Sequence, residues 1–293
     1  MSYRAPGGDL SGRVAVVTGA NRGMGRETAR ELARMGAEVV LACRSVDRGE
    51  AARADIMSTT GASAVAVMEI DLSSPASVRT FATAFAHRFA TLDVLVNNAA
   101  ASLRTREVTP GGFERTWATN VLGPHLLTTL LVPALRASGH GRVVNVSMLA
   151  AGGLDLSDTQ YERRRYSAVG AYRASKQASR MLTWALADRL EGEPVTANAL
   201  NPGYVLTDLT RNVTGVLKVL VTLTSFKAQT ARDGADTAIW LAASPEVEGV
   251  TAGFWNKRRE IPCRYRDPAQ LDRVRDLVER QLAHATAGDL MPA

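Results

Sequence analysis

The sequence predicts an α/β fold in which helices cover both faces of one doubly wound parallel sheet. Three observations predict it. Short apolar runs rich in β-branched residues recur without polar alternation, a helical pattern follows each, and no linker rich in Gly, Pro or Ser and no internal repeat divides the chain. Runs that do not alternate suit strands buried on both faces. Strand-helix alternation places such strands in parallel, joined by right-handed crossovers. Residues 1–293 therefore read as a single domain, with a core over about 12–255 and a C-terminal extension over 256–293.

The elements follow in order. Val14–Val17 is the first buried strand, and the helical pattern over 24–35 returns the chain to the sheet. Val39–Ala42 leads into a helix over 46–58, Ala64–Ile70 into one over 76–89, and Leu92–Val96 into a long one over 112–136. Val143–Val146 precedes a helix over 168–191, and Val195–Leu200 precedes one over 233–243. Three segments break the rhythm. Residues 148–171 are too long for a routine strand-to-helix loop, and such loops are often functional or disordered. Residues 205–232 include the apolar stretch Val213–Phe226, which suits a lid. The charged tail after Phe254 carries a helical stretch over 269–284, expected on the surface of the domain or on another subunit of a homo-oligomer.

Composition narrows the function classes. Hydrophobic residues at 46% and charged ones at 22% describe a soluble globular chain. The formal charge of +6 and pI near 9.7 allow weak attraction to anions. No basic stripe interleaves with aromatics, so nucleic-acid binding is not expected. Cys43 and Cys263 form neither a disulfide framework nor a metal-ligand spacing, the scattered His87, His125, His140 and His284 make no ligand cluster, and no metal is expected. These cysteines fit a reducing cytoplasm. No signal peptide is expected, and no uninterrupted apolar stretch approaches the length of a membrane span.

Two local patterns carry chemistry. Thr18-Gly19-Ala20-Asn21-Arg22-Gly23-Met24-Gly25 lies between the first strand and the first helix, where Gly19, Gly23 and Gly25 permit a tight turn and close approach of a pyrophosphate to the helix N-terminus. An NAD site normally has an acidic residue about 20 residues further on. Here Arg44 follows the second strand, with Ser45 after it, and Asp47 comes too late, so NADP(H), whose 2′-phosphate Arg44 and Arg22 would meet, is the expected cofactor. The second pattern is Tyr172-Arg173-Ala174-Ser175-Lys176. The chain has 31 arginines but 4 lysines, and Lys176 is the first of them. A compact ammonium four residues after a tyrosine shares its helix face and can lower the phenol's pKa, making a general acid or base. Alone, the same spacing also occurs on ordinary surface helices.

With the glycine turn, Asn97-Asn98-Ala99, Asn120 and Tyr172-x-x-x-Lys176 in order, the chain resembles the short-chain dehydrogenase/reductase family over roughly 12–255, which implies a Rossmann-type fold. By that resemblance Tyr172 is the catalytic acid/base, Lys176 lowers its pKa and binds the nicotinamide ribose, and Asn120 holds a water in the proton relay. Asp71, with Leu72 after it, matches the adenine site, while Asn98 and Ala99 lie beside the riboses. Pro202, Gly203, Val205 and Thr207 match the turn over the nicotinamide. Ala42-Cys43-Arg44-Ser45, Asn120-Val121-Leu122-Gly123-Pro124-His125 and the long segment before Tyr172 look most like the retinol-dehydrogenase-like group, whose membrane-bound members carry an N-terminal anchor not read here.

Two departures stand out. Ala100 replaces the usual glycine after Asn-Asn-Ala. The fifth strand ends Asn145-Val146-Ser147-Met148, so Met148 falls where relatives use a second serine to hold the substrate carbonyl, and Ser147 is the candidate for that task if the strand shifts. The expected function is NADP(H)-dependent interconversion of a carbonyl and an alcohol on a bulky, mainly apolar small molecule. The alternatives are a non-redox enzyme of the same fold with structural NADP(H), and a protein that senses the NADP(H) ratio.

Overall fold

In the computed structural model, which describes residues 8–203 and 229–288, one eight-stranded sheet runs through the molecule. The strands are β1 (Val14–Thr18), β2 (Glu38–Cys43), β3 (Val65–Glu69), β4 (Val94–Asn97), β5 (Gly141–Val146), β6 (Val195–Asn201), β7 (Phe254–Asn256) and β8 (Arg259–Glu260). Their order is β3-β2-β1-β4-β5-β6-β7-β8, all parallel except β8, which pairs antiparallel with β7. The chain reverses direction across the sheet between β3 and β4. In open α/β sheets the crevice at such a reversal, outside the carboxyl ends of the strands, is where ligands bind.

The lack of alternation in the strands has a direct cause in packing. Val16, Val40, Leu95 and Val143 enter one hydrophobic cluster, and their neighbours Ala15, Val17, Val39, Leu41, Val94, Val96 and Val144 enter the other. The second cluster takes helices α1 (Gly23–Arg34) and α2 (Val46–Thr60). The first takes α3 (Pro75–Arg88), α4 (Arg115–Ala137) and α5 (Ala168–Arg189), while α6 (Ala231–Ala243) returns to the second. Helix starts follow local capping chemistry: the hydroxyls of Ser45, Ser74, Ser167 and Thr230 accept backbone N–H bonds at the starts of α2, α3, α5 and α6.

Two features depart from the expectation. The tail after Phe254 adds strands β7 and β8 to the sheet. Its helix α7 (Pro268–Gly288) then packs on its own domain, burying Leu271, Val274, Val278 and Leu282 in the first cluster, with Trp117 Nε1 donating to Gln281 Oε1 at 2.9 Å. The helix expected over 112–136 forms as α4, but a π turn over Ala118–Leu122 interrupts it. Among the described residues α4 is also the one helix long and apolar enough to cross a membrane by length and composition, although 61% of its apolar window is buried in this fold.

Candidate functional site

At the carboxyl ends of β1 and β4 the backbone is drawn into a narrow cradle. Gly19 and Gly23 adopt φ of +67° and +55°, which favours glycine. Gly25 must be glycine for a different reason: a Cβ there would lie 2.5 Å from Asn98 Nδ2 and 2.6 Å from Gly19 O. Asn98 Nδ2 donates to Thr18 O at 2.8 Å, and the Thr18 hydroxyl accepts the N–H groups of Asn98 and Ala99 at 3.0 Å. Thr18 thus pins the end of β4 to the glycine turn, a role that its place in the motif did not reveal. Ala100 is not among the residues with positive φ, so its methyl needs no strained backbone.

Above the cradle, α1 begins at Gly23 with Arg22 at its N-cap, and no side-chain cap and no acidic residue occupies its first turn. The N–H groups there remain available for an anion. Arg44, at the end of β2, is exposed and has no hydrogen-bond or ion-pair partner among the described residues. Asn21 and Met24 are half-buried beside the turn. Ser45 caps α2, and Asp71 Oδ1 accepts the N–H and hydroxyl of Ser73 at 2.8 and 2.7 Å. Leu72 is buried, and its carbonyl approaches Gly123 so closely that a Cβ there would meet it at 2.1 Å. These features fit a dinucleotide: glycines where a Cβ would fill the cradle, uncapped N–H groups, and a partnerless cation at the second strand. On the far side, Gly203 adopts φ +82° after Pro202, while Val205 and Thr207 lie outside the described residues, as does most of the lid expected over 205–232.

Tyr172 and Lys176 lie on one face of α5, with the Lys176 ammonium 5.7 Å from the Tyr172 ring centroid. Lys176 is 3% exposed, and its Nζ donates to Val146 O at the end of β5 at 2.7 Å. Burial pushes the lysine down to about 8 and the tyrosine up to about 12. The expected lowering of the tyrosine by Lys176 is not seen in this geometry, where burial sets the direction of both shifts and the ammonium donates to a carbonyl.

Asn120 occupies the middle of the π turn, a distortion frequent at functional sites. Its Oδ1 accepts Ala101 N at 2.7 Å, and its Nδ2 donates to Ala101 O at 2.8 Å and Ser175 Oγ at 3.0 Å. Ser175 in turn donates to Tyr172 O at 2.8 Å, so it joins Asn120 to the catalytic helix, a second role missed in sequence. A cavity of about 30 Å³ lined by Asn120, Thr128, Asn145 and Ser179 adjoins this contact and is roomy enough for a water.

Ser147 does not take the place proposed for it. It is 2% exposed and its hydroxyl donates to Lys176 O at 3.1 Å, so its proton is committed to the α5 backbone. Met148, the next residue, is half-buried. The segment leading to α5 is tied down throughout. Leu149 N donates to Asn201 Oδ1, Tyr265 Oη to Ala151 O, Leu154 N to Gln177 Oε1, and Gln281 Nε2 to Thr159 Oγ1. Tyr166 Oη lies 3.2 Å from Glu114 Oε1 and 3.3 Å from Leu103 O, either of which can accept its one proton. A cleft of about 620 Å³ lies at the opposite end of the strands and contains none of these residues.

Comparison with known proteins points the same way. The model of the short chain dehydrogenase family matches residues 13–216. Retinol dehydrogenase 12 of Mus musculus is 39% identical over 269 residues, covering 90% of this chain and 84% of the relative. Among solved structures, an uncharacterised protein from Mycobacterium paratuberculosis superposes with a TM-score of 0.76 at 34% identity, covering 94% of this chain and 95% of that one. A short chain dehydrogenase from Escherichia coli CFT073 complexed with NADPH superposes with a TM-score of 0.67 at 26% identity, covering 86% of this chain and 99% of that one.

Proposed function

Because this chain belongs to the short chain dehydrogenase family, we propose that it interconverts a carbonyl and an alcohol on a bulky, mainly apolar small molecule, using NADP(H). The observation that carries this reading is the pairing of Tyr172 with the buried Lys176 at the carboxyl ends of the strands. The dinucleotide, when bound, supplies or accepts the hydride. With its pKa pushed up to about 12 by burial, the Tyr172 phenol keeps its proton at neutral pH and can donate it to a carbonyl oxygen in the reducing direction. Lys176 stays mainly cationic below about 8 and supports the phenolate left behind. Asn120 and Ser175 hold the π turn against α5, and the cavity that Asn120 borders has room for a water for reprotonation.

The cofactor choice rests on Arg44 and on the NADPH-bound Escherichia coli neighbour. The substrate class rests on the name of the Mus musculus relative and on the tied wall over 148–167. The proposed setting is the cytoplasm, where the two free cysteines would stay reduced. Met148 at the usual serine position favours a second reading, non-redox chemistry through Tyr172 with structural NADP(H).

One assay separates them. Purified protein is given retinaldehyde with NADPH or NADH, and both the alcohol and the nicotinamide absorbance are followed. The expected result is stoichiometric turnover, faster with NADPH and at least about 100-fold slower in Tyr172→Phe. Product formed without nicotinamide turnover refutes the redox reading.

A further inference from the structure

The cleft of about 620 Å³ at the amino ends of β5 and β6 has the size of small-molecule sites, about 300–1,000 Å³, and the carbonyl chemistry makes no use of it. Arg142, the second residue of β5, lines it and is 9% exposed. Its Nη1 donates to Leu241 O at 3.3 Å and Ser244 O at 2.8 Å, at the end of α6, while its Nε and Nη2 have no partner among the described residues. Neither is a sealed nitrogen of the interior, as Arg180 Nε is, so both reach open space, and the open space that Arg142 borders is this cleft. Nε and Nη2 form the guanidinium edge that takes both oxygens of a carboxylate. Among the described residues no carboxylate pairs with Arg142, and Arg13, which lines the same cleft, has no side-chain partner. A buried cation without an anion is costly, so a negative group is what this depth lacks.

The rim has the opposite sign. Two of its carboxylates are already engaged, since Asp9 Oδ1 accepts Ser11 N and Oγ at 2.9 and 2.7 Å and Glu193 pairs with Arg136. Three others, Asp188, Glu191 and Glu248, are exposed and have no ion-pair partner among the described residues. His140 faces the buried Asp93, whose Oδ1 lies 2.6 Å from its Nε2. Leu10, Ala187 and Leu190 add apolar lining. A lone anion would be drawn to Arg142 and repelled by the rim, and a lone cation would meet the reverse. A molecule that carries both charges satisfies both regions.

We propose that this cleft is a second ligand site, for a small zwitterion that sets a carboxylate against Arg142 and an ammonium among Asp188, Glu191 and Glu248, with a short aliphatic body over the apolar lining. The carboxylate accepts from Nε and Nη2 of Arg142, and Arg13 adds positive charge beside it. The ammonium stays at the exposed rim, where its cost of desolvation is small. None of this draws on the carbonyl chemistry at the other end of the strands, so the test reads binding and not turnover.

The full wild-type chain is titrated calorimetrically with 4-aminobutanoate, 6-aminohexanoate and 8-aminooctanoate, and with hexanoate and hexylamine as single-charge controls at the same ionic strength. The best of the three zwitterions should bind at least about tenfold more tightly than either control. Arg142→Met should bring that zwitterion down to the affinity of hexylamine. Replacing the rim acids together, as Asp188→Asn, Glu191→Gln and Glu248→Gln, should bring it down to the affinity of hexanoate. Because Arg142 also holds the end of α6, an Arg142→Met protein that does not fold leaves the decision to the wild-type comparison and the rim variant, whose substitutions are all at exposed positions. No zwitterion binding more tightly than both controls would overturn the assignment. So would full zwitterion affinity in the rim variant or in folded Arg142→Met.

Discussion

Replacing Lys176 by methionine should make the protein more stable while removing its chemistry. The ammonium is 3% exposed, makes one hydrogen bond among the described residues, to Val146 O, and is pushed down by burial to about 8 against an ordinary 10.5. A lysine with a depressed folded-state pKa opposes folding wherever the unfolded chain holds its proton more tightly, so the penalty is full below about 8 and fades as the pH approaches 10.5. A lowering of this size corresponds to about 3 kcal/mol. Methionine removes that penalty and forfeits a hydrogen bond worth about 1 kcal/mol, leaving a net gain of about 2 kcal/mol at neutral pH. Near pH 10 the remaining penalty, about 1 kcal/mol, equals the lost bond, and the two proteins should unfold together. Urea unfolding of wild type and Lys176→Met at both pH values measures this difference, and groups common to the two proteins cancel. A variant less stable than wild type at neutral pH, or a difference that does not change with pH, refutes the reasoning.

The other predictions concern the cradle and the strand end. Arg44→Asp should weaken NADPH binding about 10- to 100-fold and NADH binding by little, because a charged hydrogen bond to the 2′-phosphate is lost; calorimetric titration with both nucleotides checks this, and equal losses exclude the assignment. Gly25→Ala places a methyl against Asn98 and Gly19 O, so it should cost about 1–3 kcal/mol in urea unfolding and weaken nucleotide binding. Ser147→Ala removes only the bond to Lys176 O and should lower stability by about 1 kcal/mol while turnover stays within about twofold. Met148→Ser offers a hydroxyl at the strand end and should raise kcat by about tenfold or more, as a donor aimed at developing charge does; an unchanged kcat would place the oxyanion's partner elsewhere.

Much of the fold is legible because one physical condition, burial on both faces, removes alternation from the six long strands. The same condition hides β7 and β8. A three-residue strand, Phe254–Asn256, and a pair of exposed charged residues, Arg259–Glu260, carry no period of their own and exist because β6 offers an open edge. The π turn in α4 is likewise silent in sequence: apolar spacing continues through it, and only the tertiary bonds of Asn120 to Ala101 and Ser175 show what it positions.

In the site, residue types are readable and their electrostatics are not. The Tyr172-x-x-x-Lys176 spacing fixes a shared face, but both pKa shifts come from burial, which the spacing does not show, and the Lys176 ammonium is taken by the Val146 carbonyl of β5, thirty residues earlier. Strand parity decides the neighbouring question. Ser147 is spent on the backbone of the helix that carries Lys176, so nothing in this register brings its proton to a substrate oxygen. A substrate held without that hydroxyl must be oriented chiefly by contact with the walls. The segment over 148–167, which the proposed function makes a pocket wall, is anchored at Asn201, Tyr265, Gln177 and Gln281. Rigid walls reward a large, stiff, apolar substrate, because little conformational freedom is left to lose on binding. The same departure that weakens the catalytic constellation thus argues for the substrate class.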